Sequence, residues 1–243
     1  LTVEHFIFVG LVFFAAHLLS TVTGFGAGVL GVPLLALVVG IDPGKQSLVL
    51  LGMLLYIYVV VRHHEKIDWR HLRSMVLVAG IGAIVGLLLV KFLPPRSGNI
   101  LLALFVIGVG LRGLLDVAPN YKTPMWLSRV LLFVGGIVHG ALTTGGPLMV
   151  SYARQVLPHK SVFRSTVAVM WLLLGAVLIV GWTLTHSWTS TTGWVTLNGL
   201  PFLVLGTILG EMLHHRVKEK QFRTLVNVTL IATGGLLLWQ TLK

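Results

Sequence analysis

Residues 23–28 read Thr-Gly-Phe-Gly-Ala-Gly and residues 143–147 read Thr-Thr-Gly-Gly-Pro, each inside a long apolar run. Glycine accepts backbone conformations that other residues avoid, and proline interrupts a helix ladder. A helix broken there starts again with backbone N–H groups that no carbonyl satisfies. Free N–H groups at the positive end of a helix dipole suit an anion. Thr23, Thr143 and Thr144 add hydroxyl donors, and Gly24, Gly26, Gly28, Gly145 and Gly146 let the backbone come close to a ligand. Pro33 and Pro147 are expected to mark where each second helix begins. The competing use of the same residues is close helix packing.

Other polar residues stand near these breaks. Lys45-Gln46-Ser47 and Arg164-Ser165-Thr166 follow them at the start of the next long apolar segment. Gln46, Ser47, Ser165 and Thr166 are the deeper contact candidates. Lys45 and Arg164 have two uses: drawing an anion inward, or snorkelling to the interface. His139 lies four residues before Thr143 and is either a donor to the anion, a proton relay, or a satisfied core histidine. His17 is similar, Trp171 is deep enough to line a cavity, and Glu211 is expected to snorkel or to pair with the nearby basic loop.

Lipid is the expected surrounding. The 243 residues are 56% hydrophobic and only 10% charged, too little charge to cover a soluble domain. Apolar runs of spanning length recur at 44–61, 74–90, 163–181 and 222–238. The run from Phe6 to Gly40 is too long for a secretory signal and reads as retained structure. With no cysteine, thiolate metal sites, iron–sulfur clusters and disulfides are excluded, and no cofactor is expected. The net charge of +11 fits cationic loops facing an anionic leaflet. No basic helix with interleaved aromatics and no zinc-finger spacing points to nucleic acid. His63-His64 and His214-His215 lack a carboxylate cluster, which argues against an enzyme.

The charges set an orientation. Clusters at 62–73 and 214–223, with Arg112, Lys122, Arg129, Arg154, Lys160 and Arg164, mark cytoplasmic loops, whereas 183–193 holds no Lys or Arg. Spans are then expected at 43–61, 74–92, 98–115, 163–182, 194–213 and 222–241, with both termini extracytoplasmic. Of 18 Lys and Arg, only Lys45, Lys91, Arg96 and Lys243 fall outside. Stretches 5–40 and 126–156 must each turn back, as two short helices or a re-entrant pair. A helix of about 30 residues is roughly 45 Å long, more than a core of about 30 Å needs.

Two sets of five helical segments follow, and an odd number inverts the second set. A shift of 119 residues places Gly26 on Gly145, Lys45-Gln46-Ser47 on Arg164-Ser165-Thr166, Trp69 on Trp188 and Gly80 on Gly199. The expected fold is an all-α integral membrane protein of two inverted-topology repeats, 1–118 and 119–243. Each repeat has a broken or re-entrant hairpin plus three transmembrane helices. Gly80, Gly82, Gly86, Gly206 and Gly210 are expected to serve helix packing. Trp126, Trp182, Trp188, Trp194 and Trp239 are expected in interface belts.

Several stretches resemble the TauE/SafE sulfite exporter family of bacterial membrane transporters. They are VTGFGAGVLGVPLLALVVG (22–40), GGIVHGALTTGGPLMVSYA (135–153), Arg164-Ser165-Thr166, GWVTLNGLPFLVLGTILGEML (193–213) and VKEKQFRTLVNVTLIATGGLLL (217–238). The family's first hairpin typically reads GxGGG, and here Ala27 stands at one glycine position. The resemblance implies a multi-pass protein of the bacterial inner membrane that carries sulfite or a small organosulfonate. An inverted repeat implies alternating access, with the anion held between the hairpin tips. The inward-negative potential favours export, by about 2.3 kcal/mol per charge per 100 mV. Uptake would need a coupling ion, with H⁺ through His139 as the candidate. The alternatives are a passive anion channel and a small-carboxylate transporter.

Overall fold

Long apolar runs in lipid must satisfy their own backbone, and helices do so within a segment. The computed structural model describes residues 3–115, 124–157, 159–213 and 219–243, without the side chains of 219–223 and 225. The boundary expected at 118/119, Lys122 and residues 214–218 lie outside the described residues.

Ten α-helices occur among the described residues: α1 Val3–Thr23, α2 Ala27–Ala36, α3 Ile41–His63, α4 Trp69–Leu89, α5 Pro95–Leu114, α6 Met125–Leu142, α7 Gly146–Val156, α8 Lys160–Leu184, α9 Ser190–Leu213 and α10 Glu219–Leu242. The elements α1, α3, α4, α5, α6, α8 and α9 make seven helices long and apolar enough to cross a membrane. The chain is therefore an all-α, multi-spanning membrane protein.

The stretches around the breaks differ from two short helices in one respect. Each first arm is long, 21 residues in α1 and 18 in α6. Each second arm is short, 10 residues in α2 and 11 in α7. The glycines fall after the first arm has already run a full apolar length. Pro33 lies inside α2, not at its start, so it does not set that boundary. Its missing N–H instead leaves the Val29 carbonyl without its usual helical donor. Pro147 does stand in the first turn of α7.

Packing joins α1 to α9, α6 to α4, α3 to α8 and α9, α8 to α4, and α5 to α10. The closest contacts use glycine. A Cβ at Gly82 or Gly86 on α4 would strike α6 backbone, and one at Gly136 or Gly140 on α6 would strike α4 backbone. Gly206 and Gly210 meet α1 in the same manner, whereas Gly80 faces open space and has no packing role. Large apolar side chains such as Leu77, Ile81, Leu88, Val204 and Ile208 point outward, as lipid permits. Trp126, Trp194 and Trp239 are exposed, but Trp182 is buried and meets the Trp188 ring edge-on at 5.6 Å. A buried ring in a tryptophan pair is not part of an interface belt.

The loop between α3 and α4 ends in a side-chain cap. The Asp68 carboxylate accepts the His71 backbone N–H at 3.0 Å and meets the His71 ring at 2.7 Å. The His71 N–H holds the Asp68 carboxyl below the usual carboxylate range, and the His71 ring adds to the effect.

Candidate functional site

The first break begins where the Gly24 N–H closes α1 on the Ser20 carbonyl at 2.8 Å. Gly24 and Gly26 then take φ of 84° and 101°, left-handed values that glycine reaches without a Cβ clash. The Thr23 hydroxyl lies 2.8 Å from the Leu19 carbonyl and 2.6 Å from that of Phe25. Its single proton is spent on this turn, so Thr23 stabilises the break and does not offer a donor to a ligand. Helix α2 restarts at Ala27, and its first N–H groups have no carbonyl within the helix.

The second break mirrors this with different chemistry. The Thr143 N–H closes α6 on the His139 carbonyl at 2.7 Å. Thr143 has φ 57°, a strained value for a β-branched residue. Its hydroxyl donates to the Leu142 carbonyl at 2.7 Å and is spent as well. Thr144 is fully buried, and its hydroxyl has no partner. Gly145 sits against the Gly135 carbonyl, where no Cβ fits, and Gly146 faces Trp171 and Phe25.

The two breaks meet. A Cβ on Gly28 would overlap the Thr143 carbonyl. Trp171 on α8 donates its indole N–H to the Gly24 carbonyl at 3.1 Å. The same ring lies 5.2 Å from the His139 ring, centroid to centroid. His139 is 8% exposed, and its Nδ1 has no partner. Between these groups lies a cavity of about 50 Å³, lined among others by Gly28, Tyr56, His139, Thr143, Trp171 and Gly175. One water needs about 10–15 Å³ on this measure, so the space holds a few waters or one small ion. Tyr56 reaches it from α3 and holds its hydroxyl 3.1 Å from that of Ser20.

Sequence reasoning missed Tyr56. A signal was present in the shift of 119, which sets Tyr56 on Gly175 and Gly52 on Trp171. All four line the cavity, and each aromatic ring is opposed by a glycine at the related position.

The remaining polar candidates do other work. Gln46 donates to the Ser187 carbonyl at 2.8 Å and accepts the Thr192 hydroxyl at 2.5 Å. Ser47 donates to the Thr192 carbonyl at 3.2 Å, and Ser165 to the Ser161 carbonyl at 3.0 Å. Thr166 accepts the Asp68 backbone N–H at 2.9 Å. These four tie helix starts to neighbouring loops, to the first turn of α9 or to their own helix, and none of them lines the cavity. His17 is fully buried beside the Phe13 ring and also lies outside that lining.

Lys45 does not snorkel. It is 4% exposed, with its ammonium 2.7 Å from the Asp42 carboxylate and 3.4 Å from the Ala141 carbonyl. Arg164 forms a two-pronged pair with Glu211, one prong being Nη1 to Oε2 at 3.3 Å. Glu211 thus pairs across to α8.

No group of three or more His, Asp or Glu that could hold a metal occurs among the described residues. The arrangement is a small cavity inside a lipid-facing helical bundle, with Tyr56, His139, Thr143 and Trp171 set among apolar lining residues. Comparison with protein families matches residues 9–237 to the family described as Sulfite exporter TauE/SafE, and the chain belongs to that family. Membership makes it a membrane transporter for a small anion and not an enzyme. A "Probable inner membrane transporter protein TsaS" from Comamonas testosteroni is 25% identical over 172 residues, covering 70% of this chain and 72% of the relative. No solved structure matches.

Proposed function

We propose that the chain is a secondary transporter that moves sulfite or a small organosulfonate across the bacterial inner membrane by alternating access. The observation that carries this reading is the chamber between the breaks. His139, which lines it, has a buried Nδ1 without a protein partner, and Thr144, next in the chain to the lining Thr143, has a buried hydroxyl without one. A buried polar group left unpaired costs about 1–3 kcal/mol, which a ligand that pairs with it offsets. Gly28 brings its backbone to the chamber, Gly26, Gly145 and Gly146 shape the breaks, Gly24 is spent on Ser20 and Trp171, and the free N–H groups at the starts of α2 and α7 replace the anion's water. Thr23 and Thr143 hold the breaks in shape. The size of the chamber, about 50 Å³, favours an inorganic oxyanion or a one- or two-carbon sulfonate over a ring compound.

The halves 1–118 and 119–243 are inverted repeats in this reading, each carrying one re-entrant hairpin. Exchanging α1 with α6, α3 with α8, α4 with α9 and α5 with α10 maps the α1–α9 contact onto α6–α4, and α3–α9 onto α8–α4. That exchange supports the duplication. Rocking of the halves about the chamber would expose it to one side and then the other. Both termini lie outside the cytoplasm, and the membrane potential drives export unless a coupling ion, H⁺ through His139, reverses it.

Purified protein in liposomes tests the proposal. Saturable counterflow of sulfite, thiosulfate or sulfoacetate supports a carrier. Resolvable single-channel current would replace it with a channel, and transport of simple carboxylates alone would remove the sulfur anion.

A further inference from the structure

The geometry points to Lys45 and Arg164 as a pair of substrate-exchanging gates, one at each end of the path through the chamber. This rests on the reading of the chamber as the anion site.

The two cations stand at opposite ends of the bundle. Gln46, next to Lys45 at the start of α3, bonds to Ser187 just past the end of α8. Thr166, two residues after Arg164 at the start of α8, bonds to Asp68 just past the end of α3. Helices α3 and α8 therefore run antiparallel, with Lys45 at one end and Arg164 at the other. Between them on the same two helices lie Tyr56 and Trp171, which line the chamber.

Each of the two residues lies against the break that the other half of the chain supplies, Lys45 through its ammonium and Arg164 through the base of its side chain. Lys45 donates to the Ala141 carbonyl, two residues before Thr143, at 3.4 Å. Arg164 carries its Cα and Cγ 3.8 and 3.9 Å from where a Gly24 Cβ would stand. Each is also neutralised by one carboxylate, Lys45 by Asp42 and Arg164 by Glu211. The chain holds only 7 acidic residues, and two of them are used in this way.

Neither cation is saturated. The Arg164 Nε is buried without a partner. The Lys45 ammonium has three donors and two partners in the structure. In each pair the cation is the more buried partner, with a donor to spare, and the carboxylate is the more exposed one, so an arriving anion competes for the cation by displacing that carboxylate. While the carboxylate is in place, the cation stays against the opposite half's break and that end is shut. When the anion takes the carboxylate's position, the cation keeps one counter-charge and the displaced side-chain carboxylate is left to solvent. Asp42 and Glu211 thus act as competitors of the substrate, each at its own face.

The test is KM measured separately from each face in oriented liposomes, using whichever of sulfite, thiosulfate and sulfoacetate the unmodified protein carries. Arg164→Gln should raise KM about tenfold at the face bearing Arg164, the value of one charge-assisted hydrogen bond. Glu211→Gln removes the competitor and should lower KM at that same face. Lys45→Gln and Asp42→Asn should do the same at the other face. If a cation variant fails to fold, the two carboxylate variants carry the test, because they keep the cation. KM changes of equal size at both faces, or none, overturn the gates while leaving the carrier reading intact. Absence of saturable transport in the unmodified protein overturns both.

Discussion

Trp171 and Gly24 are 147 positions apart in the chain, yet the Trp171 indole N–H reaches the Gly24 carbonyl at 3.1 Å. This bond fastens α8 to the first break, and the same ring packs on His139 just before the second. One side chain therefore holds both breaks against the chamber. Trp171→Phe keeps a ring beside His139 but leaves the Gly24 carbonyl without a donor. It should cost about 1–3 kcal/mol of stability. Unfolding in detergent with increasing denaturant reads this, and an unchanged midpoint would remove the fastening role.

Thr144 gives a cleaner separation of binding from folding. Its buried hydroxyl has no partner, so Thr144→Val removes a polar group that the fold does not use. Replacing such a group by an apolar one of similar shape is close to neutral or stabilising. The variant should unfold at the same temperature or higher and bind the anion about tenfold more weakly. A loss of stability with unchanged affinity would make Thr144 a structural residue.

Helix approach makes a second contrast. Gly86→Ala places a methyl against the Ile137 carbonyl of α6, whereas Gly80→Ala on the same helix meets nothing within 4 Å. Overpacking at Gly86 should destabilise by about 1–3 kcal/mol. Gly80→Ala should be neutral or stabilising by up to about 1 kcal/mol, because alanine favours helix. Parallel thermal melts of the two proteins decide this, and equal melting would contradict the backbone contact.

The Asp68 cap predicts an acid effect. Its carboxyl is held below the usual range when folded, so its contribution is fully present above the unfolded pKa of about 3.9 and disappears as pH falls through the folded value. Asp68→Asn keeps an oxygen for the His71 N–H but carries no charge. Melting curves from about pH 6 to about pH 3 should show unmodified protein losing stability that the variant does not lose. Parallel acid profiles would mean that the carboxylate adds nothing beyond the oxygen.

The helices were legible because apolar run length decides them, and the two breaks were legible because Gly and Pro interrupt those runs. The destinations of polar side chains were not. Gln46 and Ser47 stand beside a break in sequence, but their partners Ser187 and Thr192 lie more than 140 residues away, and only the fold brings them together. Thr23 and Thr143 have the right type for ligand donors, yet the carbonyls freed by each break lie closer than any ligand and take the proton. The 119-residue shift sets Tyr56 on Gly175 and Gly52 on Trp171, but a ring opposite a glycine leaves no matching residue for an alignment to find. Pro33 misled because proline at the start of a helix is common, and here α2 begins at Ala27 instead.

Selenite has sulfite's shape and charge with a heavier central atom, and its anomalous scattering marks its position in a crystal. Crystals of the transporter soaked in selenite should show one peak in the space bounded by Gly28, His139 and Trp171. A peak only at the surface, or an empty chamber in protein shown to carry sulfite, would contradict the account.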